Sequence, residues 1–349
     1  MLNIIFPILS LAFTKGKVPS KAYTFKEEKY TGINQELVPM RIYYSSKYTH
    51  KTAILFLGAS PDGEKHKALN YLAKMLTKFG YNVFMPRIPP LMNLDISNQN
   101  VDWMRYLYKM ISSRADVNNK HITAIGISYG GGMLLKASLS KEMLEHPPKS
   151  IFLYGAGCNA NTILNFITKG LFTYQDKEIK IDPHEWGLTV FFHHFIDDIE
   201  FGFDKKNIKE VIQLRIKNEK EKAANMLKQL NDSEYHITNS IISGKINNEV
   251  QAIVDNIIAK KSSYIESLSC KPICSQVLSK VFIFHGANDN MIPFTESIQL
   301  KELLPNANLI ISYLFGHKGI SGKQSLLFKF KEVMKLLRFF SKFDKYNAS

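Results

Sequence analysis

The chain has 349 residues, of which 45% are hydrophobic and 22% charged. That size and balance fit one globular core carrying a sizeable insertion, and a core of this size needs no disulfides or structural metal to hold it. Its 3 cysteines (Cys158, Cys270 and Cys274) are too few for a disulfide framework and read as free buried thiols, although Cys270 and Cys274 stand one helical turn apart. No Cys/His group has zinc-finger spacing. The net charge of +14 draws attention to nucleic acid and anionic membranes, but no basic run is interleaved with aromatics, so nucleic acid is not an expected partner.

At the amino end, Leu2 to Phe13 is almost wholly apolar and is followed by Lys15 and Lys17. It is too short to span a bilayer, which takes about 20 apolar residues. No side-chain charge precedes it as in a secretory signal, and Pro7 interrupts a helix there. The expected role is a buried or membrane-grazing segment, and the expected location is the cytoplasm, with membrane association left open.

Short apolar runs then alternate with helical patterns, as in a parallel sheet flanked by helices. Met40–Tyr44 reads as an outer strand and Ala53–Leu57 as a buried one. Lys65–Phe79 has helical spacing and stops at Gly80; Asn82–Met85 is the next strand, and Val101–Arg114 the next helix. His121–Ile127, Gly130–Ser140 and Ser150–Tyr154 read as strand, helix and strand. The alternation then lapses into a mainly helical stretch, including a helix over Asn207–Leu230 and the aromatic run Phe191-Phe192-His193-His194-Phe195. It resumes with a strand at Val281–His285, a helix near Thr295–Leu304, a strand at Leu309–Leu314 and a last helix over roughly Gln324–Phe343.

The strongest chemical signal is Gly126-Ile127-Ser128-Tyr129-Gly130, a G-x-S-x-G between a strand and a helix. A sharp strand-to-helix turn there lifts a serine hydroxyl above the sheet, and small residues let the turn close. A serine needs a base, and the base an orienting acid. Asp289, in Gly286-Ala287-Asn288-Asp289-Asn290-Met291-Ile292-Pro293, follows one strand. His317, in Gly316-His317-Lys318-Gly319, follows the next.

With Ser128, Asp289 and His317 in that order, the chain resembles the α/β-hydrolase superfamily over most of its length. The resemblance implies an α/β fold with a mostly parallel eight-stranded sheet flanked by helices. It implies a mainly helical lid at 160–273, inserted after the sixth strand into a core made of 1–159 and 274–349. It implies Ser128 as nucleophile, His317 as base and Asp289 as its acid, in acyl transfer that uses no metal and no cofactor. Carboxylic esters, with lipid or acyl-chain substrates, are the expected target; peptidase, thioesterase and acyltransferase chemistry use the same triad. The sequence departs from the family at Leu57-Gly58-Ala59, where many members have His-Gly. The glycine is kept, and by position the oxyanion-hole donors are the amides of Ala59 and Tyr129. This departure keeps a second reading open: a non-catalytic ligand-binding protein on the same scaffold.

Three other features have plainer readings. His193 and His194, near Asp197 and Asp198, read as lid packing rather than a metal site. His285 reads as a satisfied histidine at the core edge. The last helix carries Lys329, Lys331, Lys335, Arg338 and Lys342 beside an apolar face widened by Phe328, Leu336, Phe339 and Phe343. It is either the final core helix with lysines snorkelling outward or a peripheral contact with anionic membrane.

Overall fold

The structure, a computed structural model, describes residues 20–47, 49–200, 204–316, 319–320 and 325–349. The apolar stretch Leu2–Phe13 lies outside the described residues. In chain order the core begins with β1 (Tyr23–Thr31), β2 (Leu37–Ser45) and β3 (Lys51–Phe56). Then come α1 (Lys67–Lys78), β4 (Tyr81–Pro86), the single turn α2 (Pro89–Met92) and α3 (Gln99–Ser112). They are followed by β5 (Ile122–Ile127), α4 (Tyr129–Ala137), the short α5 (Lys141–Glu145) and β6 (Ser150–Tyr154). The inserted segment contributes α6 (Ala160–Lys169), β7 (Leu171–Tyr174), β8 (Lys177–Lys180), α7 (Glu185–Phe195), α8 (Lys206–Ile216), α9 (Lys220–Leu227), α10 (Asp232–Ser243), α11 (Asn248–Lys260) and α12 (Ser262–Leu268). The core resumes with β9 (Val281–Asn288), α13 (Thr295–Leu303), β10 (Ala307–Gly316), β11 (Gly319–Ile320) and α14 (Leu326–Ala348).

The main sheet has the order β1-β2-β4-β3-β5-β6-β9-β10-β11. Strands β3, β4, β5, β6, β9 and β10 are parallel, while β1, β2 and the two-residue β11 pair antiparallel. The result is a mostly parallel sheet of eight principal strands with a short ninth at one edge.

Strand alternation divides the core between the two faces. Ile54, Phe56, Ala124, Leu153 and Ile283 point to the side covered by α3, α4 and α13. Ala53, Leu55, Ile125, Phe152 and Phe282 point to the side covered by α1 and α14. The wide apolar face of α14 is largely taken up here: Leu336, Phe339 and Phe343 are buried, with Phe343 stacked on Tyr81 and edge-on to Phe152 and Phe282. Its far end is pinned by Asn347, whose Oδ1 accepts from Thr123 Oγ1 at 3.1 Å and Ser150 Oγ at 2.8 Å. Leu327 and Phe330 remain exposed near its start. Among the described residues, no helix is long and apolar enough to cross a membrane.

Three elements differ from the sequence expectation. The edge strand β1 was unforeseen because it is charged and mostly exposed, with Glu28 held by Lys26 and Arg114. The hairpin of β7 and β8 turns at Gln175 and Asp176, both at positive φ (51° and 58°), without the Asn-Gly or Asp-Gly signature of such turns. The helix expected over 207–230 is two helices. Asn218 takes φ 60°, and the Glu219 amide reaches back to the Leu214 carbonyl at 2.9 Å, which caps α8.

The inserted segment has an apolar cluster of its own, centred on Phe166, Phe191, Phe192, Phe195, Ile208, Ile241 and Val254. It docks on loops at the carboxyl edge of the sheet. His193 Nε2 donates to the Asn93 carbonyl at 3.0 Å, the Tyr264 hydroxyl to the Ile96 carbonyl at 3.3 Å, and the His184 amide to the Asn290 carbonyl at 2.8 Å. His194 stacks on Tyr264, with ring centroids 5.8 Å apart, and its Nε2 lies 3.0 Å from the Tyr264 hydroxyl. Burial lowers the His194 pKa below its ordinary 6.5, with His193 and Lys261 acting the same way against Asp95 and Asp198. A lowered histidine pKa means the unfolded or undocked state binds the proton more readily. The contact is therefore intact above about pH 6.5 and weakens as pH falls through that value towards the lower folded pKa. Amide exchange in α7 should speed up between pH 7 and pH 5 relative to exchange in β5, after correction for intrinsic rates. A His194→Phe variant should flatten that difference, and an unchanged difference would exclude His194 as its source.

Candidate active site

Ser128 stands between β5 and α4 with φ 53° and ψ −131°, a combination that essentially only glycine adopts freely. Its amide donates to the Tyr154 carbonyl at 2.8 Å, and its carbonyl accepts from the Gly131 amide at 2.9 Å. The turn closes because three neighbours lack a Cβ. One added to Gly126 would lie 2.6 Å from the Gly131 Cα, and one on Gly131 would lie 2.5 Å from the Ala156 Cβ. One on Gly130 would fall on the Leu57 carbonyl oxygen. These glycines are needed for close approach of backbone to backbone rather than for their dihedral angles.

The loop after β3 passes beside the serine. A Cβ on Gly58 would sit 3.2 Å from the Ser128 Cβ and 3.6 Å from its Oγ. The next residue is Ala59, and Tyr129 follows Ser128 as the first residue of α4. Among the described residues, the amide N–H of neither Ala59 nor Tyr129 makes a hydrogen bond. The Tyr129 side chain is held away from this region: its hydroxyl donates to the Ser97 carbonyl at 3.1 Å, and burial pushes its pKa well up.

Asp289 follows β9 and is buried. Its Oδ1 accepts from the amides of Met291 at 2.8 Å and Ile292 at 3.0 Å, so the loop itself fixes the carboxylate. Its Oδ2 lies over Gly155, just past β6, where an added Cβ would approach to 3.3 Å. His285 is fully buried and satisfied. Its Nε2 donates to the Ile292 carbonyl at 3.0 Å, its Nδ1 accepts from the Ser297 hydroxyl at 2.6 Å, and Asp289 Oδ2 is 3.6 Å from Nε2. It supports the Asp289 loop from below.

His317 lies outside the described residues. The residue before it, Gly316, ends β10 paired with Asn288, the residue before Asp289. A register irregularity between Ser312 and Gly316 precedes that pairing. Strands β5, β6, β9 and β10 are consecutive neighbours, so their carboxyl ends bring Ser128, Asp289 and Gly316 to one edge of the sheet.

The fold is that of the α/β-hydrolases. Pyrococcus horikoshii acylaminoacyl peptidase matches with a TM-score of 0.52 and 12% identity, covering 97% of this chain and 43% of that one. The chain thus spans less than half of that peptidase. The α/β-hydrolase GrgF from Penicillium sp. sh18 matches with a TM-score of 0.50 and 12% identity over 93% of this chain and 99% of that one. DcsB, solved with a substrate analogue, matches with a TM-score of 0.51 and 14% identity over 93% of this chain and 100% of that one. At these identities the likeness is one of fold. No protein-family model and no curated protein matches the sequence.

Within this α/β-hydrolase fold, sequence reasoning missed the anchor of the loop beside Ser128. Glu64, fully buried, takes two hydrogen bonds from Arg87: Nε to Oε2 at 2.8 Å and Nη2 to Oε1 at 2.6 Å. The Asn70 side-chain Nδ2 donates to the Glu64 carbonyl at 2.8 Å, and the Ser60 backbone amide to the Leu91 carbonyl at 3.0 Å. The pair was not legible because Glu64 and Arg87 are far apart in sequence and each looks like an ordinary surface charge. It also missed Glu296, whose Oε2 accepts from the amides of Cys158 and Asn159 at 2.9 and 2.8 Å, tying α13 to the start of the insertion. His193 and His194 lie where the inserted segment packs, His193 on the Asn93 carbonyl and His194 on Tyr264.

Arg87→Ala should cost about 3–5 kcal/mol in urea denaturation, because it strands a buried carboxylate. Glu64→Gln in the Arg87→Ala background should recover part of that loss. A cost under ~1 kcal/mol for Arg87→Ala would mean the pair is not what holds the loop. Ser128→Gly should stabilise the fold by about 1 kcal/mol, relief of roughly 1–3 kcal/mol of backbone strain outweighing the entropic cost of glycine. A net loss of stability would show that the turn carries no such strain.

Proposed function

We propose that the protein is a serine hydrolase that cleaves carboxylic esters bearing apolar acyl groups, through an acyl-enzyme on Ser128. The observation that carries this reading is the strained elbow at Ser128, with its hydroxyl beside Gly58, and with no hydrogen bond among the described residues from the amides of Ala59, which follows Gly58, and Tyr129, which follows Ser128. A serine at such a turn is presented to substrate, and two backbone amides left over by the fold are what a developing oxyanion requires.

In the proposed reaction, Ser128 Oγ attacks the ester carbonyl carbon while His317 takes its proton. The carbonyl oxygen becomes an oxyanion held by the Ala59 and Tyr129 amides. Collapse expels the alkoxide, which receives the proton from His317 and leaves as the alcohol. Water, deprotonated by His317, then cleaves the acyl-enzyme and restores the serine. Asp289 holds the imidazole in the useful tautomer and stabilises its cationic form. Its Oδ1 is held by two backbone amides and its Oδ2 lies over Gly155, just past the end of β6, which suits that role.

The substrate class rests on the inserted segment. The aromatic and aliphatic cluster of the inserted segment docks on loops at the carboxyl edge of the sheet, which supports our reading of it as a lid over Ser128 that offers acyl chains an apolar surface.

The test is labelling by a fluorophosphonate, which forms a stable bond only with an activated serine. The wild type should label and Ser128→Ala should not. Asp289→Asn should label at a rate lower by up to ~10⁴-fold while remaining folded. A series of p-nitrophenyl esters should then show kcat/KM rising with acyl-chain length. A folded wild type that neither labels nor turns over any ester would overturn the proposal in favour of a binding protein on a hydrolase scaffold. Labelling with a preference for acetyl esters would keep the nucleophile and remove the acyl-chain assignment.

A further inference from the structure

The three cysteines, distant in sequence and unremarkable in spacing, come together behind the elbow helix. Cys158 follows β6 at the entrance to the insertion, and Cys270 and Cys274 lie at its exit, ahead of β9. All three are buried and free, and their Sγ atoms all lie within 4.8 Å of one another. Three thiolates bound to one ion at about 2.3 Å stand about 4 Å apart in a trigonal arrangement, so only small side-chain adjustments are needed. Among the described residues, this is the only group of three or more His, Cys, Asp or Glu side chains placed to hold a metal ion.

The backbone around the group is fixed. The amides of Cys270 and Lys271 both donate to the Cys158 carbonyl at 3.1 Å. Glu296 takes the amides of Cys158 and Asn159, and its Oε1 also accepts from Thr162 Oγ1 at 2.5 Å, so its carboxylate is already engaged. Cys270 packs against α4 at Gly132, its Sγ 3.7 Å from where a Cβ there would stand.

We infer that Cys158, Cys270 and Cys274 form a three-coordinate thiolate site for a soft monovalent d10 cation, of which Cu⁺ is the probe. Thiolates select soft ions. Structural Zn²⁺ sites almost always take four ligands, and this group supplies three. Binding converts three thiols to thiolates, releases three protons and forms three metal–sulfur bonds, with no change of oxidation state. The bound ion joins the two ends of the inserted segment to each other and holds them against the helix that begins at Tyr129.

The fully reduced full-length protein is offered Cu⁺ from a chromogenic chelator under anaerobic conditions, both when folded and during refolding from urea. One equivalent should transfer to the protein in at least one arm and raise its Tm by several degrees. Cys158→Ser and Cys274→Ala should each lower the affinity for Cu⁺ by 100-fold or more. Circular dichroism checks that each variant is folded, and the wild-type result stands without them. Transfer of no copper in either arm would overturn the site, as would copper binding undiminished in folded variants. Retention of one equivalent of Zn²⁺ with Cu⁺ excluded would overturn the three-coordinate monovalent assignment.

Discussion

The structure depends on a contact that no side chain makes. At the end of β5 the chain reverses into α4 so tightly that Gly126 meets Gly131, and Gly130 meets the Leu57 carbonyl of the neighbouring strand. Close packing leaves no room for even one methyl group at these points, and atoms fixed in a sheet on one side and a helix on the other have nowhere to move. The contact forces Ser128 to positive φ and sets the axis of α4. It also brings the loop at Gly58 against the serine side chain. An energetically unfavourable backbone is thus maintained by favourable packing around it.

From that point the sheet order does the positioning. Because β5, β6, β9 and β10 are adjacent and parallel, residues just past their ends share one edge, though they are separated by long stretches of chain. The Asp289 loop is held from inside by His285 and by the backbone amides of Met291 and Ile292. The Gly58 loop is held by the Glu64–Arg87 pair. His285 and Glu64 are fully buried and hydrogen-bonded, and so they can fix the geometry of the two loops.

Much of this was legible in the sequence, for identifiable reasons. Buried parallel strands write themselves as continuous apolar runs, and β3, β5, β6 and β9 were found that way. The elbow was legible because sterics demand small residues at fixed offsets. Asp289 was found at a strand end, and His285 was correctly read as a satisfied histidine. What escaped was decided by partners distant in sequence. The edge strand β1 has no apolar pattern because its exposed face carries charges paired with Arg114. The Gln175–Asp176 turn adopts positive φ without glycine or asparagine. Glu64, Glu296 and the meeting of the three cysteines exist only after the strands are assembled. His317 lies outside the described residues, and the sequence marks it through the motif Gly316-His317-Lys318-Gly319.

The insertion illustrates how the core tolerates so long an interruption. Strands β6 and β9 are direct neighbours in the sheet, paired from Ile151↔Val281 to Tyr154↔Phe284, although the whole inserted segment lies between them in the chain. This works because the segment leaves and returns at one place: the Cys158 carbonyl accepts both the Cys270 and Lys271 amides, so the two ends are bonded to each other. The entropic cost of closing a long loop grows only slowly with its length. The segment can therefore be large without disturbing the register of the core, provided its ends are clipped together. The clip rests on α4 through Gly132 and on α13 through Glu296.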